Sequence, residues 1–449
     1  MNASEQNKQN QQERVIPKLR FPEFQTALGW QSGTLNQIAS RVIVKNKTGE
    51  ITRVFTNSAN DGIVDQSDYF DREIANKDNL NGYYIVEIGD YVYNPRISTA
   101  APAGPISKNK IAKGVMSPLY TVFRFHQIRN DFYEYYFKTN YWHKYLYQVS
   151  NSGARHDRMN ITNDDFMSMP VPILSIEEQQ KIADCLSSLD ELIELQEQKL
   201  VALKQHKKGL MQQLFPSHND LQASKQASKQ ASKQASKQAS KIVYPKLRFP
   251  QFKNCEGWEV VLLSDIALVN PKKEKLPDRL QISFIPMSQV SEDGKINNVE
   301  IKKVYEVKKG YTAFKDNDII FAKITPCFEN GKAALLNNLE NGYGFGSTEF
   351  HVIRPKNSDG LSTFLFAYLY SNELFTQGKL SMTGSAGQQR VPAIFFENYL
   401  VALPSAKEQQ AIADCLSSLD NLISEQSEQI GRLKTHKKGL MQQLFPTIQ

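Results

Sequence analysis

Ser175-Ile176-Glu177-Glu178-Gln179-Gln180-Lys181-Ile182-Ala183-Asp184-Cys185-Leu186-Ser187-Ser188-Leu189-Asp190 returns later in this chain as a near-identical copy. The second copy opens Ser405-Ala406-Lys407-Glu408-Gln409-Gln410 and continues Ile412-Ala413-Asp414-Cys415-Leu416-Ser417-Ser418-Leu419-Asp420. Both run on to one ending, Met211-Gln212-Gln213-Leu214-Phe215-Pro216 and Met441-Gln442-Gln443-Leu444-Phe445-Pro446. Apolar residues recur four and three apart: Ile182, Leu186, Leu189, Ile193, Leu200, Leu203, Leu210 and Leu214, then Ile412, Leu416, Leu419, Ile423, Ile430, Leu433, Leu440 and Leu444. That spacing predicts a long helix in each copy with a heptad seam suited to pairing or partner docking. The seam is polar at Gln196 and Gln426 and at Lys207 and Lys437. Ser175 with Glu178, and Ser405 with Glu408, fit a capping box. Pro216 and Pro446 stop each helix. A rod of about 40 residues spans roughly 60 Å.

Outward from the helices, the repeat extends to the entry of each half. Pro17-Lys18-Leu19-Arg20-Phe21-Pro22 returns as Pro245-Lys246-Leu247-Arg248-Phe249-Pro250, and Gly29-Trp30 as Gly257-Trp258. Between these anchors the sequences diverge over a shared skeleton. Asp90-Tyr91-Val92-Tyr93 aligns with Asp318-Ile319-Ile320-Phe321, and Ser117–Arg124 with Ser347–Arg354, both strand-like. Phe132–Asn140 aligns with Phe364–Asn372 as an aromatic-rich helix. The reading is a disordered arm at 1–16, a mixed α/β domain at 17–174, a long helix at 175–216, a linker at 217–244, a second domain at 245–404 and a second long helix at 405–446. The linker holds five copies of Gln-Ala-Ser-Lys, from Gln222 to Lys241, and reads as a solvated, partly helical spacer.

Composition narrows the function. The 449 residues, 40% hydrophobic, suffice for two or three domains with real cores. No run reaches the apolar length of a membrane span, and no signal-peptide core is seen near the start, so a cytoplasmic protein is expected. Cys185, Cys255, Cys327 and Cys415 show no metal spacing and read as buried thiols. The net charge is +7, and setting aside the five array lysines leaves +2, so a basic nucleic-acid surface would have to be local.

Catalytic motifs are missing. Gly331-Lys332 is followed by Ala333, without the hydroxyl of a phosphate loop, and Gly342-Tyr343-Gly344-Phe345-Gly346 reads as a loop. Asn94-Pro95-Arg96 lacks the second proline and aromatic of an amino-methyltransferase motif. No metal site, catalytic residue or bound cofactor is expected. Recognition chemistry remains: Arg96 at a strand end, Lys108, Lys110 and Lys113 in a Gly/Pro/Ser-rich loop, and Arg155 and Arg158 in the polar loop before the first rod. The counterparts in the second half are Lys323, Lys332, Gln388, Gln389 and Arg390, the last three in the loop from Thr383. Such side chains offer bidentate bonds to base edges or neutralise phosphates.

The duplicated entry motif, the Gly-to-Arg loops and above all Glu-Gln-Gln-x-Ile-Ala-Asp-Cys-Leu-Ser-Ser-Leu-Asp resemble the specificity subunit of Type I restriction-modification systems, from Pro17 to Pro446. The resemblance implies an α+β fold: two tandem mixed α/β target-recognition domains separated by two long conserved helices forming an antiparallel coiled coil, a pseudo-two-fold repeat. It implies a non-catalytic chain whose domains each read half of a bipartite DNA target, bound to two methyltransferase subunits and to restriction subunits. S-adenosylmethionine, ATP and Mg would belong to those partners. The residues alone leave the pairing direction open, and leave a coiled-coil protein with two protein-binding domains as the alternative. Tandem tetrapeptides change copy number easily, which suggests that repeat number alters the gap between half-sites.

Overall fold

The structure is a computed structural model that describes residues 14–69, 77–150, 157–234, 242–356, 361–385 and 387–447. The chain divides into two compact units, one formed by the chain up to Glu197 together with the segment from Glu428, the other by Gln198–Ser427. Each long helix, Ile176–Leu214 and Ala406–Leu444, is 39 residues, so each begins in one unit and ends in the other.

In the first unit, one four-stranded sheet has the order Ala39–Arg41, Thr121–Phe125, Tyr91–Tyr93, Ile106–Lys108. The other has Gly62–Asp65, Val54–Ser58, Gly114–Met116, Tyr84–Val86, with its central pair parallel. In the second unit the order repeats strand for strand. Ala267–Val269, Phe350–Pro355, Ile319–Ala322 and Ala333–Leu335 form one sheet. Glu300–Lys303, Gln281–Ile285, Tyr343–Gly346 and Thr312–Lys315 form the other, again with a central parallel pair. The duplication is therefore topological even where side chains have diverged.

The core of each unit gathers on the aromatic helix predicted by the alignment, Asp131–Phe137 and Leu361–Leu369. Trp30 packs edge-on to Phe132, and Trp258 to Phe364. The Leu-Phe-Pro ending of a long helix completes each cluster. Phe445 lies 5.2 Å from Phe132 in the first unit, and Phe215 lies 5.0 Å from Tyr368 in the second. Large aromatics carry the biggest apolar payload of any side chain, which explains why the helix endings match so closely.

The helices pair antiparallel within each unit. In the first, Ile182 and Leu186 share a core with Leu440 and Leu444, Lys437 bonds Asp190, and Lys434 lies 2.7 Å from Glu197. In the second, Leu210 and Leu214 share a core with Ile412 and Leu416, and Lys207 lies 2.6 Å from Asp420. Partners thus run in opposite sequence directions. Of the seam positions, Ile182, Leu186, Ile193, Ile412, Leu416 and Ile423 are buried, while Leu189, Leu203, Leu210, Leu419, Leu433 and Leu440 are half-buried. The seam lysines are polar because each has an aspartate on the facing helix.

Four sequence expectations are corrected. The capping box is only half formed: Ser175 Oγ accepts the Glu178 N–H, but the Glu178 carboxylate turns to Arg20, and Glu408 likewise turns to Arg248. Tyr343–Gly346 is a strand rather than a loop. A methyl on Gly344 would collide with the Phe314 ring, so glycine there lets an aromatic side chain lie across the sheet. None of the four cysteines is buried: Cys255 is exposed, and Cys185, Cys327 and Cys415 are half-buried. Val15 exchanges backbone hydrogen bonds with Trp30, at 2.9 and 2.8 Å, so order reaches into the expected arm, of which residues 1–13 lie outside the described residues.

The Gln-Ala-Ser-Lys array begins as a helix, His218–Gln234. Leu221 buries into the second unit's core, and Ser224 Oγ donates to Ile242 O. The array leaves from and returns to the same unit. Its described part, up to Gln234, and the strand Ile242–Val243 that follows it both belong to that unit.

Candidate nucleic-acid interface

In each unit the loop before the long helix is stitched to the end of a central strand. In the second unit, Thr383 and Arg390 exchange backbone hydrogen bonds at 3.0 and 2.8 Å, closing a small hairpin. Arg390 then faces Ile324, framed by Thr325 N–H to Gln389 O (3.0 Å) and Val391 N–H to Lys323 O (2.9 Å). In the first unit Arg158 faces Arg96 in the same geometry, framed by Ile97 N–H to Asp157 O (3.0 Å) and Met159 N–H to Pro95 O (2.8 Å).

The hairpin of the second unit is anchored by side chains as well. Arg390 grips Glu349 with two bonds of 2.9 Å, and this guanidinium holds the Glu349 carboxyl below its usual range. His351 is buried and accepts from Asn270 at Nδ1 (2.9 Å), while Nε2 donates to Val391 O (2.8 Å). The Asn270 amide is oriented for this because its Oδ1 accepts the Val352 N–H at 3.0 Å. Burial pushes the His351 pKa down, with Lys323 and Glu349 as its charged neighbours.

The candidate residues differ in what they have free. Gln388 is exposed, and Gln389 is half-buried. Lys323 is half-buried beside Glu349, and Lys332 Nζ donates to Met287 O at 3.3 Å. Lys108, Lys110 and Lys113 meet Asp131, Glu134 and Glu87 at 2.7–2.8 Å. An ammonium already facing a carboxylate adds less to phosphate neutralisation than an unpaired one. Arg155 lies outside the described residues. Arg96 and Arg158 are brought together, as are Lys323 and the Gln388–Arg390 segment. Lys108 and Lys110 stand on a different stretch, at and after the end of strand Ile106–Lys108. Glu349 and His351 were not among the sequence candidates. The signal was there: the alignment sets Glu349 against Leu119 and His351 against Thr121, a charge and an imidazole in only one copy.

Among the described residues no group of three His, Cys, Asp or Glu could hold a metal ion, and no helix is long and apolar enough to cross a membrane. The described frame is thus a pair of topologically matched α+β units, each presenting a stitched polar loop beside a sheet end. A family model described as the Type I restriction modification DNA specificity domain matches residues 28–205 and again 255–432. The chain belongs to this family. Both matches of the specificity domain begin near the entry motif and end within a long helix. Among relatives, the Type I restriction enzyme EcoEI specificity subunit of Escherichia coli is 44% identical over 200 residues, which is 44% of this chain and 33% of that protein. The EcoAI specificity subunit of the same organism is 42% identical over 200 residues, covering 44% of this chain and 34% of that protein. The matched region thus spans about a third of the length of each. The MjaVIII specificity subunit of Methanocaldococcus jannaschii is 25% identical over 319 residues, 66% of this chain and 65% of that protein. The fold is similar to that of a Type I restriction-modification S subunit from M. genitalium, with a TM-score of 0.50 and 13% identity over 97% of this chain and all of that one. It is also similar to a chain from a structure of Type I restriction-modification complex assembly, at 0.51 and 14% identity over 94% of this chain and 98% of that one.

Proposed function

We propose that this chain is the DNA-specificity subunit of a Type I restriction-modification complex, each unit reading one half of a bipartite target. The observation that carries the reading is the repetition of both four-stranded sheet orders in the two units, with divergent side chains in the loops between the shared strands. Two copies of a scaffold with different polar loops suit two related sites of different specificity. The chain itself is non-catalytic in this reading. It works in the cytoplasm with two methyltransferase subunits and restriction subunits, which supply S-adenosylmethionine, ATP and Mg chemistry. The paired helices, with lysine and aspartate in register, are the docking surface for the methyltransferase subunits. Single-molecule methylation sequencing of the host, with and without this gene, tests the reading: one split motif should lose methylation with the gene. Retention of every methylated motif would contradict it.

A further inference from the structure

The repeat offers its own control, because one position in the scaffold is built differently in its two copies. In the second unit the residues facing each other at the strand end are Ile324 and Arg390, and Glu349 neutralises the arginine through two bonds of 2.9 Å. In the first unit the facing residues are both arginines, Arg96 and Arg158. The position that aligns with Glu349 is Leu119, whose residue is 62% exposed. The clamp acid is therefore absent from that copy. Arg96 is exposed, and no side-chain bond is found for it among the described residues. Among the described residues, Arg158 has only Asp157 for a charge partner, at 4.0 Å, and its Nε is buried without a hydrogen bond.

The backbone bonds around Arg96 and Arg158 run from each flanking residue to the opposite strand, Ile97 to Asp157 and Met159 to Pro95. This is the non-hydrogen-bonded type of antiparallel pair, in which side chains on one face stand closest, with Cβ atoms about 4.5–5.5 Å apart. Like charges opposite each other in this way are unfavourable unless an anion lies between them. Two guanidiniums carry planar donor forks that match phosphate oxygens.

We infer that Arg96 and Arg158 form a phosphate clamp for the DNA backbone in the first unit, a site the second unit has replaced with an internal Arg390–Glu349 bond. The clamp rests on the DNA-reading function proposed above and adds to it an asymmetry: the first unit holds the backbone where the second holds its own loop.

The test is the salt dependence of DNA binding by the full chain. It uses a duplex carrying the target found by methylation sequencing and a duplex of equal length with both half-sites scrambled. Each phosphate neutralised contributes about 0.9 to the slope of log K against log salt. Arg96→Gln and Arg158→Gln should each lower that slope by about 1 on both duplexes, with the preferred sequence unchanged. Arg96→Lys should restore it. Leu119→Glu, at an exposed position, should install the clamp acid beside Arg158 and lower the slope in the same way. Arg390→Gln should keep the wild-type slope whatever its affinity. A wild-type slope left intact in both Gln variants overturns the clamp while leaving the DNA-reading function standing. A wild-type chain with no salt-sensitive binding to either duplex overturns both.

Discussion

Arg20 and Glu178 form a bidentate ion pair, both bonds 2.7 Å, with side-chain exposures of 5% and 2%. The guanidinium also donates to Ala27 O and Leu28 O, so one side chain joins the entry motif, its following turn and the start of the long helix. Arg248 and Glu408 repeat the arrangement, with Cys255 O and Glu256 O as the accepting carbonyls. Removing one partner of a buried pair leaves an uncompensated charge, which costs about 3–5 kcal/mol. Arg20→Ala should therefore destabilise the first unit by that amount, and Arg248→Ala the second, read as separate shifts in a denaturant titration followed by unit-specific hydrogen exchange.

The seam lysines offer a softer test. Lys207 is 24% exposed and Asp420 47%, so solvent screens the pair and its coupling should be no more than about 1 kcal/mol. Its value lies in register. Lys207→Asp alone sets like charges on facing helices, and the double variant Lys207→Asp with Asp420→Lys should recover most of the loss. A double-mutant cycle measures this, and an additive result would show that the pair does not fix the pairing.

His351 makes a pH prediction. Its folded pKa is depressed by burial below the ordinary 6.5, so the unfolded chain binds a proton that the folded chain does not. Stability is therefore full above the ordinary value and falls as pH drops through the window beneath it. Protonation at Nδ1 would also turn two donors against each other, since Asn270 already donates there. His218, in the same unit, is depressed by burial as well and sits near Glu373. Urea midpoints between about pH 5 and 7 should thus fall less steeply in His351→Gln than in the wild type, with a residual slope from His218.

Repeat number gives a fourth prediction. Helix His218–Gln234 is anchored by Leu221 in the unit that the array rejoins at Ile242. Methylation sequencing of four-, five- and six-copy variants should find that repeat number alters the gap between half-sites, and an unchanged gap in all three would reject the idea. A gap that grows with copy number would show that the array bears on the spacing.

The two-unit frame was legible because it repeats. Heptad spacing gave the helices, and the entry motif marked where each domain starts. The endings Leu214-Phe215 and Leu444-Phe445 were visible as motifs, but their role was not, since it depends on aromatic clusters remote in the chain. Glu178 shows the limit of local rules: its spacing from Ser175 fits a capping box, yet a buried arginine outcompetes the backbone for its carboxylate. Tyr343–Gly346 failed for a related reason, because glycine in a strand is explained only by the Phe314 ring lying against it. Among candidate contacts, charge and loop position selected Lys108, Lys110 and Arg390, and neither feature reveals that Asp131, Glu134 and Glu349 already hold them.

The most direct test is an exchange of residues 245–404 for the equivalent segment of another family member, followed by single-molecule methylation sequencing in a host that carries the matching methyltransferase. The account predicts a hybrid target in which one half-site changes and the other keeps its sequence. A change in both halves, or in neither, would contradict the claim that each unit reads its own half.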